Sequence, residues 1–187
     1  MSEILGTLFK YLITFICISG VIAVIYGIFS ENKVASATSE IYLFQKNISV
    51  FYTGGPNPAI SAPLTAIIVN ANLEPSGTVS GSNLVNPWSG AITISGNQRA
   101  TGYVDIVYQN IPVSACVSLA LAMSPYYLVT INNSVPSLGS QGVINTLPTS
   151  LSNSAVPITA QQVIQQCNAQ AQYQQPSIYF TFPIRQN

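Results

Sequence analysis

The feature that most constrains this chain is a near-continuous apolar segment, Ile4–Phe29, in which Lys10 is the only charged residue. The uncharged run Tyr11–Phe29 is long enough to cross a hydrocarbon core of about 30 Å. A secretory signal peptide has a shorter apolar core and a small-residue cleavage site, and no such site is evident here. We therefore expect a helix that lies in a bilayer or packs against copies of itself. A simple anchor for a periplasmic or surface domain is the alternative.

Beyond this segment the apolar pattern continues along one face of a helix. Apolar residues recur three and four positions apart at Val34, Ala37, Ile41, Phe44, Ile48 and Phe51, which is helical periodicity. Polar residues such as Lys33, Glu40 and Asn47 fall off this face. The two stretches predict one helix of about 49 residues, roughly 73 Å long at 1.5 Å per residue. Glycines and prolines between Gly54 and Pro58 end it.

Charge is scarce in this chain, which limits its possible functions. Only 5% of the residues are charged, against about 25% in an ordinary domain, and there is no histidine. Without a basic patch, nucleic-acid binding is not expected. Without histidine, neither the usual serine or cysteine triad nor a zinc site is expected. The acids form no convincing pair, and the glycines form no phosphate-binding motif. We expect no enzyme activity and no cofactor.

The chain contains three cysteines. Cys17 lies inside the apolar helix, where it serves as a small apolar residue. Cys116 and Cys167 lie downstream, in the part that an N-terminal anchor would place on the oxidising side of a membrane. A disulfide between them would stabilise the fold by about 4 kcal/mol on chain-entropy grounds. Two free thiols are the alternative.

Downstream of the long helix, the pattern predicts an α+β domain. Helices are expected at Leu64–Ala71, at Pro112–Met123 and from the capping-box sequence Thr159–Gln162. Strands are expected at Ala91–Ser95, Tyr103–Gln109, Tyr126–Ile131 and Ser177–Pro183. Glu74–Gly90 is expected to be a loop. In the second strand Val104, Ile106 and Tyr108 share one face, and Asp105 points to the other. The prediction is an antiparallel sheet laid against the second half of the long helix.

Two stretches resemble a known family: Asn86-Pro-Trp-Ser-Gly90 with the strand pair after it, and Tyr108–Leu119 around Cys116. They are similar to the thin-pilus pattern of an Asn-x-Trp-Gly-Gly loop, a strand, and a Pro shortly before the first disulfide cysteine. The whole chain thus resembles a type IV pilin of the b subclass, which includes toxin-coregulated, bundle-forming and thin-pilus subunits. The resemblance implies a long N-terminal helix and an αβ-roll head, in which a Cys116–Cys167 disulfide frames a surface-exposed region.

The resemblance also implies a division of the chain and a function. Residues 1–30 would be the membrane anchor and filament core, residues 31–53 the amphipathic continuation, and residues 54–187 the head with its disulfide-bounded region 116–167. The chain would be a major pilin that polymerises into an extracellular pilus used for attachment, cell–cell contact or conjugation. Its partners would be identical subunits, the inner membrane before assembly, a prepilin peptidase and the assembly machinery, in a Gram-negative bacterium. A membrane-anchored monomeric binding domain and a minor tip pilin are the alternatives.

One position departs from the family. Pilins normally carry a glutamate at the fifth mature position, thought to neutralise the N-terminal amine of a neighbouring subunit. Here that residue is Leu5, and the nearest acid is Glu3. The lack of a leader predicts Met1 as the mature N-terminus and Glu3 as the substitute. Lys10 needs a partner too, because a lone charge in hydrocarbon costs about 3 kcal/mol or more. We expect it to pair with Glu3 of a neighbour; the alternative is that Lys10 snorkels and Glu3 favours the helix N-terminus.

Overall fold

A computed structural model of the chain describes residues 2–53, 55, 62–97, 102–132, 142–143, 159–171 and 175–184. Within these ranges, the side chains of residues 2–9, 20–30, 128, 132, 142–143 and 170 are not described.

One long helix, α1 (Ser2–Phe51), confirms the predicted N-terminal helix. Its second half is amphipathic, and Ala37, Ile41, Phe44 and Ile48 are buried. The pattern placed Phe51 on the same face, but Phe51 is 47% exposed and Tyr52 packs against the core in its place. The reason is helical geometry. At 3.6 residues per turn, Tyr52 lies closer to the direction of Ile48 around the helix axis than Phe51 does.

Among the described residues, seven strands form one sheet. They are β1 (Val79–Ser80), β2 (Asn83–Val85), β3 (Ala91–Gly96), β4 (Tyr103–Tyr108), β5 (Leu128–Asn132), β6 (Gly142–Val143) and β7 (Ser177–Pro183). Their order is β1-β2-β3-β4-β7-β5-β6, and each pair of neighbours is antiparallel. The last strand therefore lies inside the sheet. In the described part of the chain, β7 is what joins β1–β4 to β5 and β6.

The segment Glu74–Gly90, predicted as a loop throughout, contains the short hairpin of β1 and β2, so the prediction is wrong for that part. Val79 pairs with Leu84 and Ser80 with Asn83, which leaves a two-residue turn of Gly81 and Ser82. Two-residue hairpin turns need a positive φ, and Gly81 supplies it at 65°. Strands of two and three residues are too short to show an alternating pattern, which is why the sequence did not reveal them.

The described ranges contain three shorter helices as well: α2 (Thr65–Asn70), α3 (Val113–Met123) and α4 (Ala160–Ala171). The predicted capping box forms at the start of α4. The backbone N–H of Thr159 donates to Gln162 Oε1 at 3.1 Å, and the N–H of Gln162 donates to Thr159 Oγ1 at 3.3 Å. Because α3 contacts both α1 and α4, the helices α1, α3 and α4 form a layer beside the sheet.

The two faces of the sheet differ in character. The face toward α1 is apolar, and Ile106, Tyr108 and Phe180 share one buried cluster with Phe44 of α1. Asp105 lies on the opposite face, yet it is only 8% exposed. Its Oδ1 accepts hydrogen bonds from Asn97 Nδ2 at 2.8 Å and from Thr181 Oγ1 at 2.5 Å. These bonds offset the desolvation of a buried carboxylate and link β4 to β7.

Candidate functional site

The residues singled out for assembly lie at the start of α1. Met1 lies outside the described residues. The backbone of Glu3 is in the first turn of α1, and its side chain lies outside the description. Lys10 is helical and exposed.

The described part of the first half of α1 has no packing partner among the described residues. From Lys10 to Ser19 every side chain is exposed, on all sides of the helix. Tyr11 is 72% and Phe15 74% exposed. Fully burying a side chain of this size is worth about 1.5–3 kcal/mol, so this segment has much to gain from a partner. A search of the described residues finds no helix that is both long and apolar enough to span a bilayer.

In its second half, α1 forms a hydrogen-bonded contact with the sheet. This contact lies beside the buried stripe, which consists of Ala37, Ile41, Phe44 and Ile48. The hydroxyl of Tyr108, which is fully buried, donates to Glu40 Oε2 at 3.1 Å. Ser36 Oγ donates to Glu40 Oε1 at 3.0 Å. Burial raises the pKa of Glu40 above its ordinary value, and the two hydrogen bonds oppose this only in part. Burial first, and then the nearby carboxylate, raise the pKa of Tyr108 well above its ordinary value.

A second polar contact lies on the α3 side of α1. The hydroxyl of Tyr127 donates to Gln45 Oε1 at 2.5 Å, and its ring meets Phe180 and Phe182 edge-on, with centroids 6.3 and 6.2 Å away. Burial, and then the neighbouring Tyr42, raise the pKa of Tyr127 to about 12. The second half of α1 and the head are therefore held together by specific hydrogen bonds as well as by apolar packing.

Asn47 makes a third contact between α1 and the head. Its Nδ2 donates to the backbone oxygen of Leu73 at 2.7 Å. Asn47-Ile-Ser49 fits a glycosylation sequon, but this amide nitrogen is engaged inside the fold. The contact fixes the chain after α2 against the side of α1.

The motif Asn86-Pro-Trp-Ser-Gly90 is organised by its first residue. Asn86 Oδ1 accepts the backbone N–H groups of Trp88 and Gly90, both at 2.9 Å. Its Nδ2 donates to the backbone oxygen of Gln109 at 2.7 Å. One side chain thus shapes the loop before β3 and ties it to the segment that leads into α3. The sequence identified the motif but not this role.

Two further positions of the motif are set by backbone geometry. A Cβ on Gly90 would lie 1.8 Å from the backbone oxygen of Gln109, so only glycine fits there. Ser89 has φ of 66°, in the left-handed region that glycine adopts readily and other residues at a cost. The family pattern has glycine at this position, which fits the conformation.

A disulfide is present in the structure and joins Cys116 of α3 to Cys167 of α4. The S–S distance is 2.05 Å and the Cα–Cα distance is 6.1 Å, and both residues are fully buried. The bond fixes α4 against α3. Cys17 is free and exposed. Among the described residues, no group of three or more His, Cys, Asp and Glu side chains is arranged to hold a metal.

Sequence reasoning missed the polar residues that connect α1 to the head. The helical pattern puts Glu40 off the apolar face, and the strand pattern puts Tyr108 on one face with Val104 and Ile106, but neither pattern pairs the two residues. A signal was available: a buried tyrosine needs a partner for its hydroxyl, and an acid next to the buried stripe offers one. In the same way, the hydroxyl of Tyr127 finds its partner in Gln45, a polar residue of α1.

Comparison with known proteins places the chain among pilins. The PilS family, described as PilS N terminal, matches residues 31–182. The fold is similar to the crystal structure of a type IV b pilin from Salmonella typhi, with a TM-score of 0.52 and 16% identity over 78% of this chain and 97% of that one. It is also similar to TcpA, a type IV pilin from Vibrio cholerae El Tor biotype, with a TM-score of 0.55 and 14% identity over 81% of this chain and 99% of that one. No curated protein matches the chain.

Proposed function

Because the chain belongs to the PilS family and is a type IVb pilin, we propose that it is the major subunit of its pilus and polymerises through α1. Pilins of this family are structural proteins that assemble with identical copies into a pilus on the cell surface. The proposal adds that this chain makes up the body of the fibre and has no enzymatic activity.

The contrast within α1 is the observation that carries this proposal. Phe44 is fully buried against the head, whereas Phe15 on the same helix is 74% exposed. Apolar area gains about 25 cal/mol per Å² on leaving water. A helix that is apolar all round therefore gains tens of kcal/mol from packing among copies of itself, before the cost of association is subtracted. That is enough for a fibre that does not dissociate.

The division of the chain follows from this proposal. Residues 1–30 form the filament core after serving as the membrane anchor. Residues 31–53 connect that core to the head, residues 54–187, whose surface faces outward. Before assembly the subunit resides in the inner membrane, where a prepilin peptidase and the assembly machinery act on it.

Lys10 is the one charged residue of the proposed core whose side chain is described, and we propose that it pairs with Glu3 of a neighbouring subunit. The experiment is a charge exchange. Lys10→Glu and Glu3→Lys should each reduce pilus yield strongly, and the double variant should restore it. Lys33→Glu, an exposed lysine in the second half of α1, serves as the matched control and should assemble normally. A double variant that assembles no better than the single ones contradicts the pairing.

Attachment, cell–cell contact and conjugation are the uses proposed for the fibre. The family's assembly into a surface pilus supports all three, and the small number of charged residues in the head (Glu74, Arg99, Asp105 and Arg185) suits contact with many partners without strong electrostatic selection.

Electron microscopy of sheared surface material tests the proposal. A major pilin gives abundant thin fibres, and antibody against the head labels them along their whole length. Label confined to the fibre tips indicates a minor tip pilin. An anchored monomeric binding domain gives no fibres, and that result would contradict the proposal outright.

A further inference from the structure

The polar residues near the start of α1 all lie on one narrow face of the helix. From Glu3 to Cys17, every residue is aliphatic, aromatic or glycine except five. The five are spaced four, three, four and three positions apart, and we call them the polar stripe: Glu3, Thr7, Lys10, Thr14 and Cys17. Because α1 is continuous from Ser2 to Phe51 and turns by about 100° per residue, they fall within about 80° of its circumference.

The described side chains of the polar stripe are open to a partner. Lys10, Thr14 and Cys17 are all exposed, whereas Glu3 and Thr7 are placed on this face by the backbone of α1. Thr14 Oγ1 donates to the backbone oxygen of Lys10 at 2.8 Å, and a hydroxyl that donates in this way can still accept a hydrogen bond. A positive charge and a hydroxyl acceptor are thus presented together on one side of an otherwise apolar segment.

The polar stripe lies on the side of α1 that points away from the head. The buried stripe further along the helix packs against the head, with Phe44 at its centre. At 3.6 residues per turn, the centres of the two stripes are about 170° apart around the helix axis. With the heads facing outward, as in the proposed fibre, the polar stripe therefore faces the fibre axis, where the helices of other subunits lie.

The spacing of the polar stripe fits a second copy displaced by seven residues. Subunits of a helical fibre are related by one repeated operation, so their α1 helices run parallel. Alternating spacings of four and three residues form a heptad seam, and a displacement by one heptad lays the stripe of one helix on the stripe of the next. That displacement brings Lys10 of one subunit to Glu3 of its neighbour, and Thr14 to Thr7. The opposite charges therefore meet in this register.

We propose that the polar stripe packs against the polar stripe of a second copy of this chain, displaced along the fibre by seven residues, or about 10.5 Å. The pairing of Lys10 with Glu3 then sets the register of the two helices as well as neutralising both charges. An unshifted pair would bring Lys10 against Lys10 of the neighbour, and like charges repel strongly in apolar surroundings. This inference rests on the proposed function and deepens it, because it names the face of α1 and the axial displacement that assembly uses.

Disulfide crosslinking in intact fibres tests the register. The full-length chain carries Cys17→Ser, which removes the free thiol, together with Thr7→Cys and Thr14→Cys. A disulfide forms only where two Cα atoms come within about 7 Å, so oxidation should link position 7 of one subunit to position 14 of the next. Because each subunit is then bonded to two others, the band on a non-reducing denaturing gel should shift from monomer to a ladder of covalent oligomers. Fibres that yield only monomers overturn the inference.

Two controls in the same Cys17→Ser chain separate this register from mere proximity of the helices. Leu8→Cys with Phe15→Cys has the same seven-residue spacing on a different face of α1, and it should give monomers. Thr14→Cys alone should also give monomers, because the displacement keeps the two copies of position 14 apart. A ladder from the Leu8 and Phe15 pair as strong as that from the stripe contradicts the choice of face. Dimers from Thr14→Cys alone contradict the displacement.

Wild-type fibres decide the question even where a cysteine variant does not assemble. In a helical reconstruction, α1 helices that touch through the polar stripe should be displaced by about 10.5 Å, with Lys10 of one level with Glu3 of the next. A stripe covered by lipid, by a different protein or by the apolar side of a neighbouring helix overturns the inference. The two proposals fail in different ways. Absence of fibres contradicts the proposed function itself, whereas fibres with unmatched stripes contradict only the register.

Discussion

The two halves of α1 belong to one continuous helix, but they differ in what surrounds them. In the second half, Ala37, Ile41, Phe44 and Ile48 are buried against the head, and Glu40, Gln45 and Asn47 bond to it. In the first half, every side chain described between Lys10 and Ser19 is exposed. One half is stabilised within the subunit, and the described side chains of the other pack against no described residue of the head.

This difference matches the pattern of the sequence. An apolar stripe on one side of a helix is satisfied by one packing surface, such as the sheet of the same chain. A helix that is apolar on all sides needs surroundings on all sides, and one head cannot supply them. Under the proposed function the remaining surfaces come from other subunits, so the sequence of α1 divides the helix into a folding half and an assembly half.

The largest expected effect comes from removing the same residue type in each half. Phe44→Ala empties a fully buried site and should lower the free energy of unfolding of the head by up to about 5 kcal/mol. Phe15→Ala removes a 74% exposed ring and should change it by less than about 0.5 kcal/mol, while lowering fibre yield. Chemical denaturation of the detergent-solubilised subunit measures the free energy of unfolding of both variants. Equal losses of stability would erase the distinction between the halves.

Removing the disulfide should affect the head and leave the first half of α1 intact. The half-cystines are separated by 51 positions, and opening a loop of that size costs about 4 kcal/mol on chain-entropy grounds. The Cys116→Ser, Cys167→Ser double variant should unfold at a much lower concentration of denaturant than the wild type. Cys17→Ser is the control, since Cys17 makes no disulfide, and it should unfold with the wild type. A double variant as stable as the control contradicts the structural role of this bond.

A smaller effect is expected in the loop that Asn86 organises. Ser89→Gly relieves a residue with φ of 66° and should stabilise the head by about 0.5–1 kcal/mol. Gly90→Ala should act in the opposite direction, because its Cβ would collide with the backbone of Gln109. Thermal melting of the two variants measures the changes. A stabilising Gly90→Ala, or a neutral Ser89→Gly, contradicts the geometry of the loop.

The smallest effect is a pH dependence at the junction of α1 and the head. Burial raises the pKa of Glu40 above its ordinary value of 4.5, so the folded state favours the protonated carboxyl. Its contribution to stability is fully present below the ordinary pKa and is lost as pH rises through the raised one. The head should therefore become more stable as pH falls from neutrality toward 4.5, and Glu40→Gln should reduce that slope. If stability depends on pH as steeply in Glu40→Gln as in the wild type, the dependence comes from other titratable groups and the prediction for Glu40 is contradicted.

Much of this fold follows from local patterns in the sequence. The 3.6-residue period of α1, the capping box at Thr159 and the strand alternation before Tyr108 each rest on neighbours in the chain, and all three appear in the structure. The position of β7 between β4 and β5 does not follow from its own sequence, because an alternating strand fits many places in a sheet. The hydrogen bonds of Glu40 and Asn86 join residues that are 68 and 23 positions away, and only the folded chain brings them together.

We propose that the first half of α1 is buried by copies of the chain and not by its own head. Helical reconstruction of sheared fibres by electron cryo-microscopy tests it most directly. We expect the segment from Lys10 to Ser19 to lie near the fibre axis, with side chains such as Phe15 in van der Waals contact with neighbouring subunits. A fibre joined through its heads alone, with this segment on the surface, would contradict the account.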